Sequence, residues 1–331
     1  MFSVTNDRGF VPQSEQFEGR DMVGEDIKAY KIIHSNDFAY NPARINVGSI
    51  AMYTGEKPCM ISSLYVCFKT TKEVNNEWLM QLLKTPKMNY YYNVNGEGGV
   101  RVYLFYPNFA RIRMSIPKIE EQKKIAKLLN LIDERIATQN KIIDKLQSLI
   151  KGIAQHCIRE LINGWEYVRL GDICKITTGK LDANAQVGNG QYPFFTCAER
   201  PSNIDSYAFD TEALLISGNG ANLGYINYHK GKFNAYQRTY VLDHFSVNIQ
   251  YVKWALKVLL PQRIAIEKSS SNTPYIVLST LADLKIPIPN NSKQNQIADL
   301  MMSFERKLST QLALNDLYNK QKQYLLRQMF I

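Results

Sequence analysis

Cysteine is scarce in this chain and badly placed for chemistry. Cys59, Cys67, Cys157, Cys174 and Cys197 are an odd count with no Cys-x-x-Cys spacing, which argues against a disulfide framework and a zinc knuckle. Reduced, buried thiols are expected. The four histidines, His34, His156, His229 and His244, are scattered without metal-ligand spacing, so no metal site is expected. No apolar run approaches the roughly 18 residues that span a bilayer. The first thirty residues carry Asp7, Glu15, Glu18, Asp21, Glu25 and Asp26, unlike a signal peptide, and a cytoplasmic location is expected. No Walker lysine loop appears. The nearest approach to the Asn-Pro-Pro-aromatic loop of an adenine methyltransferase is Tyr40-Asn41-Pro42-Ala43, whose fourth residue is wrong. With no paired carboxylates to defend either, the chain is expected to be non-catalytic.

What is present is ordinary globular material with a basic excess. Apolar residues make up 45% and charged residues 21% of 331, enough for two domains with cores of their own. The formal net charge is +10. Counted by block it is +2 over residues 1–116, +3 over 117–163, +2 over 164–289 and +3 over 290–331. A basic surface attracts phosphate and releases condensed counterions, so a polyanionic partner is favoured. The spread without a polybasic tail would equally suit a basic protein that never meets nucleic acid.

The strongest signal is an internal repeat. Setting residue n against n+172 aligns Phe109–Arg159 with Leu281–Ile331 without a gap. Identical pairs include Ile116/Ile288, Pro117/Pro289, Gln122/Gln294, Ala126/Ala298, Leu128/Leu300 and Gln139/Gln311. Each copy opens with an alternating run that reads as a strand, Arg111 to Ile116 or Asp283 to Ile288. A proline then ends it, and a long helix begins.

In the first helix Ile125, Leu129, Ile132, Ile136, Gln139, Ile143, Leu146, Ile150 and Ile153 alternate spacings of four and three, a heptad seam. The second keeps Ile297, Met301, Phe304, Leu308 and Gln311, then meets Asn315 and Lys322, so its seam is expected to shift to Leu312, Leu317, Tyr318, Tyr324 and Leu325. Helices of roughly 40 residues extend about 60 Å, too far for one compact domain to cover. The expectation is an antiparallel coiled coil, with Gln139 and Gln311 pairing across it to fix register. The alternative is that each helix packs on its own domain.

The expected fold class is therefore α+β: two mixed α/β domains separated by two long helices, with pseudo-twofold repetition. The boundaries are residues 1–116, 117–163, 164–289 and 290–331. In the later domain, strands are expected at Tyr192 to Thr196, Ala213 to Ile216, Tyr225 to Tyr228, Arg238 to Leu242 and Tyr275 to Leu278, and a helix from Ile249 to Leu260 before Pro261. In the earlier one, strands are expected at Asp37 to Tyr40, Ser49 to Tyr53, Leu64 to Phe68 and Val100 to Tyr106, with a helix near Asn76 to Leu83. Tyr90-Tyr91-Tyr92 would alternate faces if extended.

Trp165 to Ile173 followed by Gly179-Lys180, the Leu284 to Pro289 run, the Ile-Pro-x-x-x-x-Gln starts at Ile116 and Ile288, and the long helix after each resemble the specificity subunits of type I restriction-modification systems. The resemblance covers essentially the whole chain. It implies two target recognition domains, each reading one half of a split double-stranded DNA site. It implies helices that set the spacer and dock two modification subunits, with restriction subunits joining separately. S-adenosylmethionine and ATP would be bound by those partners, not by this chain. The first domain has no counterpart of the Trp165 to Lys180 opening before Ser3; roughly 30 to 60 residues of the family pattern are absent, on domain-size expectations. A scaffold joining two protein-binding modules, or a silent or truncated specificity cassette, are the competing readings.

Phosphate contacts need Lys and Arg, and base edges need paired donors and acceptors. The expected DNA-binding residues are Asn41, Arg44, Tyr91, Asn95 and Arg101 in the first domain. In the second they are Lys180, Arg200, Asn219, Asn222, Arg238, Ser271, Asn272 and Thr273. Partner docking is expected at Lys123, Lys127, Arg135 and Lys145 on the exposed face of the first long helix.

Overall fold

The computed structural model describes residues 1–16, 29–99, 102–160, 164–268 and 275–330. Two compact units emerge, Met1–Asn140 with Ala313–Ile331, and Lys141–Leu312. Two long helices, α5 (Ile119–Gln155) and α9 (Asn291–Met329), each contribute to both units.

Unit 1 holds β1 (Phe2–Thr5), β2 (Gly9–Pro12), α1 (Gln13–Gln16), β3 (Lys31–Ile33), β4 (Phe38–Tyr40), β5 (Ile50–Met52), β6 (Cys59–Ile61) and β7 (Val66–Phe68). The helices α2 (Asn76–Leu83), α3 (Pro86–Asn95) and α4 (Tyr106–Ala110) follow. The strands form two sheets, β2-β1-β6-β3 and β5-β4-β7. Central β4 is covered on both faces: Phe38 and Tyr40 join the core under α2, while Ala39 turns to the second core with Val4, Ala51 and Ile61. That is the period of two of a strand with no solvent face.

Unit 2 holds β8 (Glu166–Arg169), α6 (Leu170–Ile173), β9 (Lys175–Thr178), β10 (Tyr192–Phe195), β11 (Ser202–Ile204), β12 (Phe209–Ser217), β13 (Ile226–Ala235), β14 (Thr239–Asp243), α7 (Ile249–Lys268), α8 (Leu278–Ala282) and β15 (Lys285–Ile288). The six-stranded sheet runs β11-β10-β13-β12-β14-β9. A parallel bridge from Leu181 to Tyr236 joins the chain after β9 to the end of β13 and curls the sheet back on itself. Again the central strand splits its residues, Leu214 and Ile216 toward α7, Ala213 and Leu215 toward Phe195 and Phe233 inside the curl.

The two units are built alike. Hairpins β1–β2 and β10–β11, then β4–β5 and β12–β13, then β7 and β14, occupy matching places in the strand pairings. The repeated glutamine explains why the Ile-Pro-x-x-x-x-Gln start recurs. Gln122 Oε1 accepts from Asn75 N at 2.7 Å and Nε2 donates to Pro117 O at 2.8 Å. Gln294 does the same with Asn248 N at 3.0 Å and Pro289 O at 2.8 Å. Asn75 and Asn248 in turn cap α2 and α7, accepting from Trp78 N and Tyr251 N. One buried amide thus ties the start of each long helix to the start of the helix beneath its sheet. Farther along the helices, Gln81 donates to Asp133 at 2.9 Å and Lys253 to Glu305 at 2.7 Å, both pairs related by 172 residues.

Within unit 1, Asp133 meets Lys322 and Arg135 donates to Tyr318 OH at 3.0 Å. Later α5 residues meet earlier α9 residues, which makes the pairing antiparallel. In unit 2, Leu146, Ile150 and Ala154 share a core with Ile297, Ala298 and Met301. The α5 seam is buried or half-buried throughout. The α9 seam does not shift: Leu312, Leu317 and Tyr324 are exposed, and the heptad continues through Asn315, Tyr318, Lys322 and Leu325. Lys322 is tolerated there because Asp133 neutralises it. Gln139 is 4% exposed. Gln311 is half-buried and falls in unit 2, whereas Gln139 falls in unit 1.

Other expectations need correction. Asp283 to Ile288 contributes β15, antiparallel to β8, whereas Arg111 to Ile116 forms no strand, because among the described residues nothing pairs with it. Tyr103 makes a single bridge with Glu97 in place of the strand expected there, and Val100 and Arg101 lie outside the described residues. Tyr275 to Val277 forms no strand among the described residues. Tyr90, Tyr91 and Tyr92 lie on α3, not on a strand, after the Thr85 cap and Pro86. Helix α7 runs through Pro261, held by the buried stripe of Leu256, Leu260 and Ile264, although proline removes one internal bond.

Candidate nucleic-acid interface

In unit 2 the exits of β9, β10, β12 and β13 are hydrogen-bonded to one another. Gln237 N donates to Leu181 O at 2.9 Å, Tyr236 N to Phe195 O at 2.9 Å, Gly218 N to Arg238 O at 2.9 Å and Ile276 N to Gly218 O at 2.8 Å. Side chains lock the same loops: Asn222 Nδ2 donates to Cys197 O at 3.1 Å, and Asn227 Nδ2 to Ala198 O at 3.4 Å. Tyr240 OH donates to Ile276 O at 2.8 Å, and burial pushes that phenol's pKa up.

Two glycines permit the approach. A Cβ on Gly179 would lie 1.9 Å from the Ala235 carbonyl oxygen, and one on Gly218 would lie 2.4 Å from that of Arg238. Neither position can carry a side chain without moving backbone.

This cluster gathers the expected second-domain residues. Lys180, Arg200 and Arg238 are exposed on three of the linked loops, and Asn219 is half-buried on the fourth. Asn222 has another task, since its amide braces the Cys197 loop. Ser271, Asn272 and Thr273 lie outside the described residues.

In unit 1, Asn41 follows β4 as Asn219 follows β12. Its Oδ1 accepts from Ala43 N at 3.0 Å, closing a turn that leaves Arg44 exposed. Leu104 N donates to Pro42 O at 3.0 Å, the counterpart of the Ile276–Gly218 bond. Tyr91 is not gathered here: it is half-buried and lines a cavity of about 350 Å³ with Arg113, Met114 and Phe330. Asn95 donates to Tyr91 O at 2.9 Å and serves its own helix end. Arg101 lies outside the described residues.

On α5, Lys123, Lys127 and Lys145 are exposed, and Lys123 pairs with Glu120 at 3.3 Å. Arg135 is exposed too, but its guanidinium bonds and stacks on Tyr318. The sequence reading missed exposed apolar residues on the same helix: Ile142 and Leu149, seven residues apart in unit 2, are 43% and 51% exposed. A second heptad was the available signal.

The cysteines are Cys59, Cys157 and Cys174 buried and Cys67 and Cys197 half-buried, with Cys174 pushed up to about 12 by burial. Among the described residues, no three His, Cys, Asp or Glu side chains are placed to hold a metal ion. No described helix is long and apolar enough to cross a membrane.

Duplicated domains on paired helices, each ending in braced loops rich in Lys, Arg and Asn, define a recognition protein. The sequence matches the family described as type I restriction modification DNA specificity domain over residues 25–148 and 162–315. The chain belongs to that family, the type I specificity subunits. It is 44% identical over 135 residues to the type I restriction enzyme EcoDI specificity subunit of Escherichia coli, a match covering 41% of this chain and 30% of that protein. Against the putative type I specificity subunit S.MpnORF615P of Mycoplasma pneumoniae it is 25% identical over 210 residues, 60% of this chain and 82% of the relative. The chain thus spans less than a third of the first relative and most of the second. The fold is that of the crystal structure of a type I restriction-modification system S subunit from M. genitalium, with TM-score 0.64, 16% identity, and 90% and 83% of the two chains covered. A chain from a type I system solved for complex assembly and conformational transition has TM-score 0.61 at 18% identity, with 91% and 83% covered.

Proposed function

We propose that this chain is the DNA-reading subunit of a type I restriction-modification complex, does no chemistry itself, and recognises a bipartite duplex site with one loop cluster per unit. The carrying observation is the unit 2 cluster, where Lys180, Arg200 and Arg238 stand on loops locked together by backbone bonds. Rigid loops hold donors in register with base edges at little entropic cost, while cations anchor phosphate. The same strand pairings recur in unit 1 with different loop residues, which suits two unlike half-sites.

The exposed Ile142 and Leu149 of unit 2, beside Lys145, form the docking surface for modification subunits, two of them by the repeat. Restriction subunits join the full complex. S-adenosylmethionine and ATP belong to those partners, and the location is cytoplasmic.

The test is methylome sequencing of cells that express the chain with its modification subunits. A split motif with two defined halves is expected. Methylation without a motif, or duplex binding whose affinity ignores sequence, would overturn the reading. The docking surface is checked separately: Ile142→Glu with Leu149→Glu should abolish co-purification of the modification subunit while thermal unfolding stays cooperative.

A further inference from the structure

Arg8 escaped the sequence reading, yet it occupies in unit 1 the position that Arg200 holds in unit 2. Both sit at the turn of the first hairpin, β1–β2 or β10–β11, and in both an acid precedes the arginine, Asp7 or Glu199. Each hairpin is fastened to the loop that follows the central strand. In unit 2 the fasteners are the Asn222 and Asn227 amides. In unit 1, Ser49 Oγ donates to Val4 O at 2.7 Å, and the φ of +98° at Gly48 brings that backbone against Asn6, where an added Cβ would sit 3.3 Å from the Asn6 Cβ.

The result is a cleft of about 190 Å³ lined by Arg8 and Arg44 together with Asn6, Asp7 and Ser49. The acid does not neutralise it outright. Asp7 Oδ1 accepts from the Arg8 backbone N–H at 2.9 Å, which commits that carboxylate to the turn. Among the described residues the Arg8 guanidinium has one loose pairing, with Glu15 at 3.9 Å, both side chains being more than half exposed.

Two arginines lining one small cleft suit a group with clustered acceptor oxygens, either a backbone phosphate or the O6/N7 edge of a guanine. Resting on the DNA-reading function above, we infer that Arg8 is a DNA-contacting residue of the first recognition domain, gripping the duplex jointly with Arg44 as Arg200 does in the second.

The experiment uses the chain assembled with its modification subunits and compares wild type, Arg8→Ala, Arg8→Lys and Arg200→Ala. It reads duplex affinity over a range of salt together with the methylated motif. Arg8→Ala should weaken binding at least about ten-fold, the loss expected for a bidentate or phosphate contact. If the cleft takes a guanine edge, Arg8→Ala and Arg8→Lys both relax one base in one half of the motif, and Arg200→Ala disturbs the other half. If it takes a phosphate, Arg8→Lys retains binding, while Arg8→Ala keeps the motif and lowers the salt slope by about one. Wild-type affinity and motif in Arg8→Ala would overturn the inference and leave the DNA-reading function standing. A wild-type complex with no sequence-dependent binding would overturn both.

Discussion

A buried amide is worth most where it serves several partners at once, and Gln122 and Gln294 each do so at exposures of 0% and 2%. Gln294→Ala removes the partner of the half-buried Asn248 N–H and of the buried Pro289 carbonyl. Each buried group left unpaired costs about 1–3 kcal/mol, so the variant should lose a comparable amount in urea denaturation of the whole chain. Gln122→Ala should behave alike through Asn75 and Pro117. A loss under about 0.5 kcal/mol in both would mean that the amides do not tie the helices to the domains.

Lys253 and Glu305 repeat the theme with charge. Burial raises the Glu305 carboxyl, but Lys257 and Lys253 outweigh it and hold its pKa below the usual glutamate range. A carboxylate with a depressed folded-state pKa stabilises the fold above its unfolded pKa, and that contribution is lost as pH falls through the lowered value. Glu305→Gln should therefore destabilise the chain at neutral pH, with the gap from wild type closing in acid. A gap that stays constant from neutral pH down to pH about 3 would contradict the pairing.

At the level of elements, the helical seam shows how a polar residue can hide continuity. Asn315 and Lys322 interrupt the apolar pattern, so periodicity alone points to a shift onto Leu312, Leu317 and Tyr324. The structure keeps the heptad instead, because Lys322 finds Asp133 across the pair and the leucines are left on the outside. Partly exposed ion pairs contribute little net stability, and apolar replacements of similar volume are often neutral or better. The double variant Asp133→Leu/Lys322→Met should match or exceed the wild-type Tm, while Asp133→Leu alone, which leaves the ammonium in the seam, should lower it. A double variant less stable than either single would show that the pair holds more than its own charge.

The same contrast governs what was legible in the residues. The repeat, both long helices, β4, β12, α2 and the polar loops after the central strands follow from local pattern. The strand at Arg111 to Ile116 does not form because pairing is non-local: its copy has β8 beside it, and among the described residues it has no such neighbour. Arg8 is invisible because Asn6-Asp7-Arg8-Gly9 reads as an ordinary solvated turn, and only the strand order places it beside Arg44. Tyr91 and Asn95 lie on the helix that Pro86 starts, whereas the Tyr90-Tyr91-Tyr92 run alone leaves helix and strand open.

At the scale of the whole molecule, a net charge of +10 spread evenly along the chain, with no polybasic tail, supplies general attraction to a polyanion, and the loops supply discrimination. The two loop clusters are closed networks: the bonds that lock Leu181, Cys197, Gly218 and Arg238 involve unit 2 residues alone, and those around Asn41, Ser49 and Val4 involve unit 1 residues alone. Substitutions that share no partner add within about 0.5 kcal/mol, whereas members of one network couple by more. In the assembled methyltransferase, Arg44→Ala and Arg238→Ala should each weaken cognate-duplex binding by about 1–3 kcal/mol, each through one half-site. Their double variant should lose the sum. Within unit 2, by contrast, Asn222→Ala combined with Arg200→Ala should fall short of additivity, because freeing the Cys197 loop already misplaces the arginine. The measurement is a pair of double-mutant cycles on binding free energy, taken at one fixed salt concentration. Coupling between Arg44 and Arg238 as large as that between Asn222 and Arg200 would mean that the duplex is read by one joint surface and not by two independent heads.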